Sequence, residues 1–182
     1  MGLEASTRAA IIGNMRPRRH RLRFQLIAGG LFVLALAGGC DRGSRPTLVG
    51  STAPDFTVTD GPRSVTLSHL RGHIVLLNFW ATWCAPCIEE IPSLESLQKQ
   101  MPQIKVLAVS TDRDNDAYNQ FMTEHQLGFD NIRDASWHSN LLYGTQMFPE
   151  TYIIDRNGVV RRRFIGPVDW ASPAIMDYLK KL

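Results

Sequence analysis

The chain has 182 residues, 44% of them hydrophobic, and a formal charge of +3, enough for one domain once an N-terminal leader is set aside. The positive excess belongs to that leader: residues 1–39 hold six Arg and one Glu, net +5, whereas residues 40–182 hold 14 Lys plus Arg against 16 Asp plus Glu, net −2. A slightly acidic domain gives no reason to invoke nucleic acid as a partner.

Arg16, Arg18, Arg19, Arg21 and Arg23 precede the apolar stretch 25–37 and the small residues Gly38-Gly39 before Cys40. A basic region, a short apolar region and a small-residue exit predict a secretory signal, the apolar part being short for a membrane span of about 20 residues. The segment Leu36-Ala37-Gly38-Gly39-Cys40 also resembles a bacterial lipobox, with Ala37 where such boxes usually carry Leu. Lipidation at Cys40, an uncleaved signal anchor and plain cleavage remain open. Met15 is a plausible alternative start. Each version exports the domain and places it on the extracytoplasmic side, in the first two cases tethered to the cell membrane. The organisation is then leader 1–39, tether 40–50 and domain 51–182.

Phe56 to Thr59 and Val65 to Leu67 flank Asp60-Gly61-Pro62, which predicts a hairpin. Ile74 to Trp80 is apolar on both faces, as in a buried strand of a parallel sheet. Beyond Cys87 the period changes: Ile88, Ile91, Leu94 and Leu97 recur at helical spacing, with Pro92 placed to kink the helix. Ile104 to Val109 completes a β-α-β unit. Asp112, Asp114 and Asp116 suit a helix start, with Tyr118, Phe121, Met122 and His125 as its buried stripe and Gly128 as its end; the glycine and distal glutamate of a calcium loop are missing. A short helix is expected within 134–143, and Thr151 to Phe164 reads as a hairpin around Asn157-Gly158. Arg161-Arg162-Arg163 suits a solvated strand, with contact to a partner or lipid surface as the alternative. Ser172 and Pro173 open a last helix packed through Ile175, Met176 and Leu179.

The chemistry concentrates at Cys84-Ala85-Pro86-Cys87, where the buried strand hands over to a helix. Unpaired amides and the macrodipole at a helix N-terminus favour an anion, which lowers the Cys84 thiol pKa and makes it the attacking thiolate. Cys87, one turn further in, suits the resolving thiol, and Pro86 is tolerated where first-turn amides have no intrahelical acceptor. A loop this short staples nothing, so a stabilising disulfide explains the pair poorly. Structural zinc would want two spaced ligand pairs, yet Cys40 is the one other cysteine and the five histidines are scattered. An inert buried pair is the remaining bland reading. A Cu(I) chaperone using the same thiolates is the alternative from another class, with Met147 as the one further soft ligand.

Several stretches resemble the TlpA/ResA/DsbE branch of membrane-tethered thioredoxin-fold oxidoreductases: Ala53-Pro54-Asp55-Phe56, Leu67 to Gly72, Asn78 to Cys87 with Glu90 and Pro92, Phe148-Pro149-Glu150-Thr151, and Ile154 to Gly158. The resemblance covers about residues 48–182. It implies an α/β fold, a three-layer α/β/α thioredoxin fold with a mixed sheet, an N-terminal hairpin and a central helical insertion. By the same resemblance Pro149 is the cis-proline facing the dithiol, and Glu90 is a partly buried acid that relays protons. Trp83, Ala85, Pro86, Phe148 and Glu150 would border the substrate. Trp80 and Trp83 match aromatics around the motif that core packing largely explains. Asn78 stands where cytosolic thioredoxins carry an aspartate, which shifts the duty of base for Cys87 toward Glu90. The redox group would be the Cys84–Cys87 disulfide itself, with no organic cofactor and no metal. Electrons would come from a membrane thiol transporter, and clients would be exported proteins such as apocytochrome c. A thiol peroxidase would want an isolated cysteine instead.

Overall fold

A computed structural model of the chain describes residues 48–182; the leader, Cys40 and most of the tether lie outside the described residues. Two short strands, β1 (Thr57–Asp60) and β2 (Arg63–Thr66), pair antiparallel across the Asp60-Gly61-Pro62 turn, with Val58 opposite Val65. A 3-10 turn, Leu67–Leu70, leads into β3 (Ile74–Trp80), whose seven residues are all buried. Then follow α1 (Ala85–Gln100), β4 (Ile104–Ser110), α2 (Asn115–His125) and β5 (Asp130–Arg133). The chain closes with α3 (His138–Tyr143), β6 (Glu150–Ile154), β7 (Val160–Ile165) and α4 (Pro173–Leu179).

Strands order as β5-β4-β3-β6-β7. The first three run parallel and the β3–β6 and β6–β7 pairs antiparallel, so the sheet is mixed as expected. Period-two alternation splits the continuous apolar runs between two cores. Leu76, Trp80, Val106 and Ile153 pack under Leu94 and Leu97 of α1, Phe121 of α2, and Trp170 and Leu179 near the C-terminus. On the other face Leu77, Phe79, Val109 and Tyr152 meet Phe56 and Val58 of the hairpin, Leu67 and Tyr143 of α3. Three layers result, with the β1–β2 hairpin helping α3 to cover the second face.

Two helix boundaries differ from expectation, and one strand is additional to those expected. Asp112 does not start a helix: it is buried, and Asp114 caps α2 instead, its Oδ1 accepting from the amides of Asp116 at 2.9 Å and Ala117 at 3.1 Å. Gly128 does not end α2, because Gln126 takes the left-handed position with φ 46°. The Gly128 amide instead donates to Glu95 Oε1 at 2.6 Å, and a Cβ there would sit 3.1 Å from Glu95 Oε2. Strand β5 is too short and too polar to announce itself by period. Pro92 lies inside α1, which runs on to Gln100.

The β6–β7 turn joins two of the resembling motifs. Asp155 Oδ1 accepts the amides of Asn157 and Val159, both at 2.9 Å, and Gly158 takes φ 79° while Asn157 does not adopt positive φ. The turn is therefore built on aspartate capping and one left-handed glycine rather than on an Asn-Gly pair. Arg71 donates to Asn157 O at 2.8 Å and lies where a Cβ on Gly158 would be. On the edge strand, Arg161 pairs with Asp155 at 2.6 Å, Arg162 stacks 4.0 Å from the Tyr178 ring centroid and Arg163 pairs with Glu150 at 2.8 Å.

Asp134 fixes the entry to α3. Burial alone would raise its pKa, but donors from Ser136 (Oγ, 2.5 Å) and Ser139 (amide 2.8 Å, Oγ 2.6 Å) outweigh that and hold it below the ordinary value. A depressed carboxyl contributes stability above its unfolded pKa and loses it as pH falls through the folded one. Asp134→Asn is therefore expected to lower unfolding stability by about 1–2 kcal/mol near neutral pH. Urea denaturation at about pH 7 and about pH 3 should show the gap between wild type and variant closing in acid; a constant gap would contradict this assignment.

Candidate active site

Cys84 is the N-cap of α1, with extended backbone at φ −93° and ψ 97°. Its Sγ accepts from the Cys87 amide at 3.3 Å, and its carbonyl accepts from Cys87 and Ile88. Pro86 occupies the first turn, where no amide is missed. The two cysteines form a disulfide across Cα atoms 5.3 Å apart. Both are buried as residues, but Cys84 lines an open groove of about 540 Å³ and Cys87 does not.

That groove is bordered by Trp83, Ala85 and Pro86 on the motif side and by Trp137, Thr145, Gln146, Met147 and Phe148 across from it. None of these side chains carries a charge. Trp83 is 64% exposed and meets Phe148 edge-on at 5.9 Å, so the core-packing explanation holds for the buried Trp80 and fails for Trp83. The Phe148–Pro149 bond is cis. Trp137 reaches the groove from the start of α3, held by its Nε1–H donating to Thr111 O at 2.8 Å and meeting Phe148 at 6.2 Å. Neither Trp137 nor Asp112 was legible as a site residue. Asp112 accepts from Thr82 N at 3.0 Å, Thr82 Oγ1 at 2.7 Å and Ser110 Oγ at 2.5 Å, and so pins the loop that delivers Cys84.

Glu150 departs from its expected place. Its side chain is fully buried, receives the Arg163 guanidinium at 2.8 Å and 3.1 Å, and accepts the Tyr152 hydroxyl. It therefore braces the strand after Pro149 and presents no carboxylate to the groove. Asn78 is buried and donates to Thr151 Oγ1 at 2.9 Å across the β3–β6 pair. Glu90, three residues beyond Cys87 and so on the same side of α1, is 3% exposed. Burial pushes its carboxyl up to about 7, against the opposing pull of hydrogen bonds from the Trp170 indole and the Val168 backbone. Among the described residues no group of three or more His, Cys, Asp or Glu has the arrangement of a metal site.

A mixed five-stranded sheet, a dithiol at the start of the helix after its central strand and a cis-proline in the chain define a thioredoxin-fold thiol-disulfide oxidoreductase. Residues 49–163 match the AhpC/TSA family. The thiol-disulfide oxidoreductase ResA of Bacillus thuringiensis is 30% identical over 172 residues, spanning 91% of this chain and 98% of that protein. ResA of Oceanobacillus iheyensis is 32% identical over 156 residues, spanning 80% and 81%. Among solved structures, a Chlorobium tepidum protein described as a thiol:disulfide interchange protein DsbE superposes with TM-score 0.64 at 30% identity, covering 73% of this chain and 93% of that one. The chain belongs to the AhpC/TSA family and is, within it, an enzyme of the TlpA/ResA/DsbE type whose redox group is the Cys84–Cys87 disulfide.

The raised Glu90 carboxyl carries a stability signature. A carboxyl whose folded pKa lies above its unfolded value costs stability as pH rises from the unfolded pKa through the folded one, here from 4.5 to about 7. Glu90→Gln removes that cost, so the variant should gain on the wild type across this window by up to roughly 3 kcal/mol. Denaturation of the oxidised protein at a series of pH values measures the gain; parallel wild-type and variant curves would sink the shift.

Proposed function

We propose that the protein is exported, held at the membrane by Cys40 lipidation or an uncleaved leader, and reduces disulfides of client proteins. Its Cys84 thiolate attacks a client disulfide, a mixed disulfide forms, and Cys87 resolves it with Glu90 as the group that takes the proton. The observation that carries this reading is the Cys87 amide aimed at Cys84 Sγ on the floor of an open, uncharged groove. That amide and the helix dipole favour sulfur as an anion.

The reducing direction is supported by Ala85-Pro86 between the cysteines, which supplies no histidine to stabilise a thiolate strongly as strong oxidants do. Extracytoplasmic placement is supported by the basic-apolar leader. Family resemblance supports exported clients, apocytochrome c among them, and re-reduction by a membrane thiol transporter. Trp83, Phe148 and the backbone beside Pro149 then border an extended client segment, with its half-cystine over Cys84.

Cys87→Ser is expected to accumulate a mixed disulfide with a disulfide-bearing client, whereas Cys84→Ser forms none; trapping through either single thiol equally would refute the assigned order of attack. A glutathione titration should place the potential near −270 mV and away from about −120 mV. Palmitate labelling of the full chain in a bacterial host tests the tether: a labelled wild type and an unlabelled Cys40→Ala support lipidation, and an unlabelled membrane-bound wild type supports the anchor.

A further inference from the structure

One turn beyond Cys87, Glu90 sits in an asymmetric environment. Trp170, fully buried, donates its indole Nε1–H to Glu90 Oε1, while Oε2 is buried with no hydrogen-bond partner among the described residues. Trp170 is itself held. Its amide donates to Ser93 Oγ at 3.2 Å, and that hydroxyl lies 2.8 Å from Glu90 O and 3.1 Å from Val168 O. Phe164 packs edge-on against the indole at 5.3 Å.

A second groove, of about 370 Å³, opens onto Glu90 between α1 and the loop before α4, lined also by Glu89, Pro92, Ser93, Val168 and Asp169. It shares no lining residue with the dithiol groove. Among the described residues, the charged groups that line this groove with Glu90 are Glu89 on α1 and Asp169 on that loop, and Cys87 precedes Glu90 by one turn of α1; Phe164 of β7 packs on the Trp170 indole.

We propose that Trp170 is the positioning residue of the proton relay: it fixes Oε1, leaves Oε2 to take the proton of Cys87, and the second groove returns that proton to water while a client covers the first. The inference rests on the reducing cycle proposed above. In that cycle the Cys84 thiolate breaks the client S–S bond and forms Cys84–S–S–client, and the first client thiolate is protonated by solvent. Cys87 then gives its proton to Oε2, and its sulfur attacks Cys84 Sγ. The Cys84–Cys87 bond forms and the second client sulfur leaves as a thiolate that solvent protonates. The client gains two electrons, the dithiol loses two, and Glu90 releases its proton to water. An indole N–H suits the task because it donates and never accepts, so it cannot itself compete for the proton.

The test is a pH titration of the Trp170 indole ¹H–¹⁵N resonance in the full chain, together with the pH profile of client release. The resonance should move with one inflection that Glu90→Gln abolishes. Trp170→Phe, which keeps an aromatic ring and loses the donor, should shift the inflection of client release to higher pH by about one unit, the worth of one hydrogen bond to a charged group. The KM for the client should not change. Ser93→Ala, which frees the Trp170 amide, should shift the inflection the same way and by less; with the wild-type resonance it decides the matter if Trp170→Phe does not fold. A pH-invariant Trp170 resonance, or a Trp170→Phe rate lowered equally at every pH, overturns the proposal alone. A Glu90→Gln profile identical to wild type overturns the reducing cycle's relay as well.

Discussion

The amide of Cys87 donating to Cys84 Sγ is the contact on which the site depends, and it exists because α1 is made to begin at that sulfur. The beginning is fixed from outside the helix. Trp80 ends β3 opposite Ser110 of β4 in parallel register, so the two strands release their chains at the same level. The Thr111 amide reaches back to Trp80 O at 3.0 Å, and Asp112 then captures both the amide and the hydroxyl of Thr82. Only one residue, Trp83, separates Thr82 from the N-cap Cys84, so the backbone has little room to choose another start. Reactive chemistry thus sits at the carboxyl ends of parallel strands, where loops are free to be specialised while the sheet stays rigid.

Two buried carboxylates near the motif are solvated in different ways, and the contrast assigns their roles. Asp112 is surrounded by hydroxyl and amide donors from Ser110 and Thr82, the pattern of a structural brace. Glu90 draws on the Trp170 indole and the Val168 backbone alone, and its Oε2 has no hydrogen-bond partner among the described residues. A carboxyl so poorly solvated has its pKa raised, here to about 7.

The sequence made the core strands, the active-site helix and the dithiol legible because each rests on local pattern: a two-faced apolar run, a 3.6 period, a Cys-x-x-Cys at their junction. Its silences have physical causes. Strand β5 has four residues, two of them buried only because β4 offers an open edge and α2 returns the chain to it. Asp112 looked like helix-start charge because the carboxylates at 112, 114 and 116 are equivalent in sequence; only the fold places Thr82 within reach of the first. Trp170 and Trp137 carry no local signature of a site, since their partners Glu90 and Thr111 lie 80 and 26 residues away. Glu150 was legible as polar and adjacent to Pro149, but strand alternation, with Arg163 waiting on the neighbouring strand, turned it inward.

Asn78 fits the proposal of Glu90 as the proton carrier. It lies on the buried strand that leads to the cysteines and bonds to Thr151, two residues beyond Pro149, so it ties the motif's strand to the proline's strand. An amide does this without charge. A carboxylate at the same position would be a second buried acid close to the dithiol, and two such groups push each other's pKa apart and titrate as a coupled pair. With an amide there, the coupling is absent. On the proposed cycle Glu90 is then the single buried acid that takes the proton of Cys87, beside a groove that shares no lining residue with the one over Cys84.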